Sequence, residues 1–146
     1  MIKKTKKIED LLKMPPNKFH PLVYIGGEPR IGNNVYIGLF SEVNAKGADV
    51  KIGNNCDIAS FVSINVADSH KRTIGLSTEI EKDNIVLENS VFVGSHCFIG
   101  GGVYIGHHSV IGAGTIITKP CKIPPFSLVI GNPFIVKRGY FKKRNK

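Results

Sequence analysis

No tryptophan occurs in this chain, and only three cysteines do. A small and odd number of thiols excludes a disulfide-stapled secreted scaffold. Nowhere does an apolar run approach the ~20 residues that a membrane-spanning helix needs. The lysine-rich start leads into no apolar signal core. The expectation is therefore a cytoplasmic protein without an integral membrane segment. Acidic residues are scarce too: 11 Asp and Glu stand against 20 Lys and Arg, for a formal net charge of +9. That balance favours anionic partners. The basic residues crowd the ends, with Lys3, Lys4, Lys6 and Lys7 at one and Lys137, Arg138, Lys142, Lys143, Arg144 and Lys146 at the other. Aromatic residues do not interleave with them in a recognisable motif, so nucleic acid is not an expected partner.

What the chain does have is a beat of six. Leu87, Val93, Ile99, Ile105, Ile111, Ile117, Ile123 and Val129 place an aliphatic residue at every sixth position. Neither a helical period nor simple strand alternation demands one class at each sixth site. Four residues after each anchor stands a small or branched side chain: Val91, Cys97, Val103, Ser109, Thr115, Cys121 and Ser127. This hexapeptide repeat predicts a parallel β-helix in which three hexads close a triangular coil of about 18 residues. The aliphatic anchor points inward and stacks on its equivalent one coil away, at the strand spacing of about 4.8 Å. The fifth residue also points inward, near a corner, so it must be small or branched. Corner sites favour residues that tolerate positive φ, which accounts for Asn34, Asn55, Gly102 and Gly114.

The breaks in the beat divide the single domain, 1–146. Residues 1–16 read as a short amphipathic helix with Ile8, Leu11 and Leu12 on one side, stopped by Pro15 and Pro16 and covering an open end of the solenoid. The β-helix is expected over 22–133, with anchors Ile25, Ile31, Ile37 and Val43. The next anchor, Ile52, comes nine residues later, so 44–51 must hold a small bulge. The rhythm resumes at Ile52, Ile58 and Ile64. At position 70 the register asks for an aliphatic residue and finds His70. From there to Val86 the pattern vanishes, which predicts a protruding polar loop over 70–86. A basic tail follows at 134–146. A loop leaving a monotonous scaffold is where function tends to sit.

His70 is the foremost candidate for chemistry. A neutral imidazole can take a proton near pH 7, and Asp68, two residues before it, can fix its tautomer. His96, His107 and His108 fall at corner sites, where tolerance of positive φ explains them; the scaffold resembles the hexapeptide-repeat carbonic anhydrases, which bind zinc through three histidines, but the histidine spacing here does not match theirs. No metal is expected. Cys56, Cys97 and Cys121 occupy fifth positions and read as inward-facing structural thiols.

The segments Val66–His70, Val91–Gly100, Ile111–Lys119 and Ile123–Pro133, with the polar loop, resemble the hexapeptide-repeat acetyltransferases. Among these the likeness is to bacterial sugar O-acetyltransferases of the maltose, galactoside and capsule or O-antigen kind. It implies an all-β fold: a left-handed parallel β-helix of about five coils with a short N-terminal helix. It also implies a homotrimer with active sites between subunits. Acetyl-CoA would be the co-substrate and a sugar or nucleotide-sugar the acceptor, with His70 as general base and Asp68 orienting it. Asn44 matches an acceptor-contacting asparagine. Ser95, Gly112, Ala113, Thr118 and Lys119 match positions along the pantetheine and phosphates, and Pro125 and Arg138 positions near the adenine and ribose phosphate. Two departures stand out: Phe92 where many relatives have tryptophan, and Lys71 where a proline usually follows the histidine. Two other readings stay open. One is N-acetylation of a nucleotide-linked amino sugar, and the other is a non-catalytic β-helix used for assembly.

Overall fold

A short strand followed by a tight corner cannot bury its apolar side chain alone, so successive hexads wind until like stacks on like. In the computed structural model, which describes residues 7, 10 and 13–143, this winding gives three parallel sheets. Sheet A contains β1 (Tyr24–Gly27), β4 (Glu42–Ala45), β7 (Ser63–Asn65), β12 (Phe98–Gly100) and β15 (Ile116–Ile117). Sheet B contains β2 (Arg30–Ile31), β5 (Val50–Ile52), β10 (Ile85–Leu87), β13 (Val103–Ile105) and β16 (Cys121–Ile123). Sheet C contains β3 (Tyr36–Ile37), β6 (Asp57–Ile58), β11 (Phe92–Val93), β14 (Val110–Ile111), β17 (Leu128–Gly131) and β18 (Phe134–Lys137). The chain is a left-handed β-helix of about five coils. The helix expected over the first residues falls largely outside the described ones.

The anchors form the core. From Ile37 to Val129 every one of them is at most 2% exposed, whereas Ile25 and Ile31 in the first coil are only half-buried. Each fully buried Ile contributes roughly 1.5–3 kcal/mol of burial. Fifth positions are buried as well, and their polar members find partners at the corner. Ser127 Oγ donates to the Pro124 carbonyl at 2.6 Å, and Thr115 Oγ1 donates to that of Gly112 at 2.6 Å. Cys56 and Cys97 are buried at such sites, while Cys121, in the last coil, is half-buried.

Corners turn at the third residue after each anchor, where φ is positive at Asn34, Asn55, Ser90, His96, Gly102, His108 and Gly114. The same left-handed site is occupied by Phe40, Phe61 and Phe126. Phenylalanine is not among the residues that tolerate this backbone well, and nothing in the hexad rule anticipates it there.

The register shows where extra chain was inserted. Partners lie 18 residues apart in regular coils, as Phe98 to Ile116. They lie 21 apart from Glu42 to Ser63 and 35 apart from Ser63 to Phe98. Both insertions leave at the corner between sheets A and B. The first is tighter than the sequence suggests, because Asn44 belongs to β4 and Val50 to β5, leaving only 46–49 as the bulge. The second starts earlier and ends earlier than the expected 70–86. It leaves as β8 (Ala67–Asp68), turns through the helix α1 (His70–Thr73), and returns as β9 (Glu81–Lys82), antiparallel to β8. Ile85 and Val86 are already back in the coil, with Ile85 fully buried. At the top, residues 134–137 are not tail: β18 turns back to pair antiparallel with β17.

Candidate active site

The arm over 67–84 is short, exposed and held by polar contacts. Its ribbon pairs Asp68 with Glu81, and Lys71 Nζ binds Glu81 Oε1 at 2.5 Å across the two limbs. At its root, Asp83 N donates to the Val66 carbonyl at 3.1 Å. Gly101, one coil above, is needed there, because a Cβ would meet the Val66 carbonyl oxygen at 2.9 Å.

His70 opens the arm's one helical turn, and that turn brings its ring back over Asp68. Nδ1 lies 2.6 Å from Asp68 Oδ1, and the same oxygen accepts the His70 backbone N–H at 3.0 Å. The backbone N–H first, and then the ring, hold the Asp68 carboxyl below the ordinary carboxylate range. An ionised carboxylate only accepts, so Nδ1 carries a proton, and in the neutral ring the lone pair is then on Nε2. Both side chains remain more than half exposed in a single chain, at 57% and 59%. Ligand atoms of Asp68, His70 and Glu81 lie within 4.8 Å of one another, and Asp68 Oδ1, His70 Nδ1 and Glu81 Oε1 take part in the two contacts above.

Beside the arm lies a groove of about 620 Å³ lined by Asn65, Asp68, Lys82, Phe98, Gly100 and Thr118, among others. Asn44 sits one coil below Asn65 in register and donates to its Oδ1 at 3.1 Å. Asn44 Oδ1 also accepts the Lys46 N–H at 3.1 Å, so this residue shapes the bulge as well as the surface. Asn65 escapes a reading of the sequence. It occupies an outward position of an ordinary hexad, and only the register reveals that it lines the groove with Asp68.

The other expected site residues do not gather at one place in a single chain. Thr118 and Lys119 are exposed at the corner between sheets A and B, above the arm. Ser95, Gly112 and Ala113 stand at the corner between sheets C and A, where Gly114 N donates to the Ser95 carbonyl at 2.9 Å. Pro125 lies at the third corner. The chain returns towards that corner after Arg138, where Phe141 N donates to the Phe126 carbonyl at 3.0 Å. The winding distributes these residues, which the resemblance assigns to the cofactor, over three edges of the single chain.

The geometry defines a class of protein. Residues 84–119 match the family model described as bacterial transferase hexapeptide (six repeats), and the chain is a hexapeptide-repeat β-helix protein. It is similar to a galactoside acetyltransferase solved in complex with coenzyme A, at 36% identity and a TM-score of 0.71, covering 83% of this chain and 60% of that one. A hexapeptide-repeat acetyltransferase from Vibrio cholerae is 29% identical with a TM-score of 0.66, over 75% of this chain and 61% of that one. The chain thus spans about three-fifths of the length of these two relatives. The N-acyltransferase AntD from Bacillus cereus, solved with dTDP-4-amino-4,6-dideoxyglucose and coenzyme A, shares the fold at 18% identity and a TM-score of 0.71, over 84% of this chain and 68% of that one. Compared with curated proteins by sequence, the chain finds no match. Among the described residues no helix is long and apolar enough to cross a membrane.

Proposed function

We propose that this protein transfers an acetyl group from acetyl-CoA directly to a hydroxyl of a sugar or glycan precursor, with His70 as general base. The observation that carries the reading is the 2.6 Å contact between Asp68 Oδ1 and His70 Nδ1. It fixes the tautomer and leaves Nε2 to take the proton of an attacking hydroxyl. The acceptor oxygen then attacks the thioester carbonyl, a backbone N–H holds the developing oxyanion, and the CoA thiolate departs. Cys56 and Cys97 are turned into the core, and burial pushes all three thiols upward in pKa, away from a nucleophilic thiolate. The similarity to a galactoside acetyltransferase in complex with coenzyme A supports both the co-substrate and the acceptor class.

The same reading makes the working unit a homotrimer in the cytoplasm, where acetyl-CoA is available. His70 is more than half exposed, and the residues expected along the cofactor lie on three different edges. A second copy, bringing its own edge against the arm, would complete the site. In that arrangement Ser95, Gly112, Ala113, Thr118 and Lys119 line the pantetheine and phosphates, Pro125 and Arg138 lie by the adenine and ribose phosphate, and Asn44 contacts the acceptor.

The test is thiol release from acetyl-CoA against a panel of sugars and nucleotide sugars, with and without His70→Ala. Acceptor-dependent release that His70→Ala lowers at least ~10²-fold is expected. Release of equal rate in the variant would remove the base. Release only with amino sugars would move the acceptor from oxygen to nitrogen.

A further inference from the structure

On the outer face of sheet A, two columns run along the prism. Tyr24, Glu42 and Ser63 are in register in one, and Gly26, Asn44 and Asn65 in the other. Residues two apart on a strand share a face, so the two columns lie side by side. The second column leads into the groove beside Asp68. The first leads into a different groove of about 500 Å³, lined by Leu22, Tyr24, Phe40, Glu42, Phe61 and Ser63, among others.

The floor of this second groove is unusual for a corner. Phe40 and Phe61 lie 5.4 Å apart between ring centroids, tilted by 38°, and His96 stacks on Phe61 at 4.9 Å, its ring nearly parallel at 5°. Both phenylalanines have positive φ, 58° and 57°, and both stay about half exposed, at 54% and 47%. A side chain that costs backbone strain and then stays half-exposed on its own chain gains little for the fold of that chain. Phe126, the third of the kind, differs: its carbonyl receives the returning tail, and it is half-buried beneath it. Next to the exposed pair, Glu42 accepts a hydrogen bond from Ser63 Oγ at 2.5 Å. An apolar aromatic platform bordered by a carboxylate and a hydroxyl has the chemistry of a pyranose site. The ring's C–H face lies on the aromatics, and its hydroxyls donate to the carboxylate.

From this we infer that the tilted Phe40–Phe61 pair with Glu42 and Ser63 is a second sugar subsite, and that the acceptor is an oligosaccharide lying across sheet A. The inference rests on the reading of this protein as a sugar acetyltransferase. Asn44 lies four positions after Phe40, a span of at most about 13 Å at the strand rise of about 3.3 Å per residue, which leaves room for more than one hexose ring. The reacting residue of the glycan occupies the groove at the arm, and a neighbouring residue stacks on the phenylalanines.

Two measurements test it. The first compares kcat/KM for glucose with maltotriose, and for N-acetylglucosamine with its linear trimer, in the native protein and in the double variant Phe40→Asn, Phe61→Asn. Asparagine already occupies equivalent corners at Asn34 and Asn55, so the variant should fold with an unchanged or higher unfolding midpoint. A trimer preference of at least about tenfold is expected in one series, falling to within about twofold in the variant. The second uses the absence of tryptophan: in Phe61→Trp the new indole is the sole tryptophan, and its emission should change saturably with maltotriose or with the N-acetylglucosamine trimer. A native ratio near one in both series, a ratio that survives the double variant, or flat emission would each overturn the subsite. Absence of thiol release with every acceptor would instead sink the enzymatic reading, while the emission titration would still decide the subsite.

Discussion

Residues 85–131 and residues 67–84 obey different rules. In the first stretch, partners stay 18 apart, anchors are buried, and the hydroxyls and thiols at fifth positions are turned into the core. In the second, helix α1 buries no residue, Ile74 and Leu76 are left in water, and contacts are between charged or polar groups. The contrast shows how a repeat protein separates its tasks. The coils cannot vary inward without losing a stacked neighbour on both sides. An insertion at a corner is free of that constraint, and it can hold an imidazole and a carboxylate that the prism would have no place for. Stability is therefore invested in one stretch and chemistry in the other.

Substitutions should divide along the same line. Ile99→Ala, between Ile64 and Ile117 in sheet A, is expected to cost 2–5 kcal/mol, read as a shift in the denaturation midpoint. Ile74→Ala, 66% exposed at the arm's tip, should stay within about 0.5 kcal/mol. Equal losses would mean the arm is part of the folding core and would erase the division. His70→Ala should do the reverse of Ile99→Ala, lowering kcat at least ~10²-fold with an unchanged midpoint. Asp68→Asn should cost less, about tenfold, because the imidazole remains and only its tautomer and orientation are freed. In the native protein Asp68 stays ionised to below the ordinary carboxylate range, so its small structural contribution persists above that range and is lost only as pH falls through the lowered value. Lys119→Ala should raise KM for acetyl-CoA several-fold without moving the midpoint, and an unchanged KM would detach Lys119 from the cofactor.

How much of this was legible in the residues follows the same division. The beat of six is dictated by side-chain size at fixed spacing, so sheets, coils and core could be read from Leu87 to Val129 directly. The position of His70 was legible as a missed beat. Less could be read where the backbone, and not side-chain class, decides. The antiparallel ribbon of Ala67–Asp68 with Glu81–Lys82 carries no aliphatic signature, so the sequence suggested only a loop. Strand β18 was hidden because Phe134 and Val136 read as the start of a basic tail, although both pack against the core. Phe40 and Phe61 went unnoticed because the corner rule expects Asn, Gly or His at those sites. The distribution of Ser95, Thr118 and Pro125 over three edges follows from winding, which spacing along a line does not display.

The smallest effect expected is also the one that tests the regular coils on their own terms. Cys56 and Cys97 lie at fifth positions, and burial raises both thiols above their ordinary pKa. A group that ionises less readily in the folded chain binds more protons there than in the unfolded chain at alkaline pH. Stability should then fall as pH rises past the unfolded thiol's value of about 8.5. Valine fills the same position at Val91 and Val103, both buried, so Cys56→Val with Cys97→Val should cost less than about 1.5 kcal/mol per site at pH 7. The double variant should lose part of the native protein's decline in midpoint between pH 8 and pH 10. Cys121, half-buried in the last coil, remains as an internal reference and should react first with a thiol reagent. If Cys56 and Cys97 react as fast as Cys121 in the folded protein, the regular coils open as readily as their end. The prism would then be no firmer than the arm it carries.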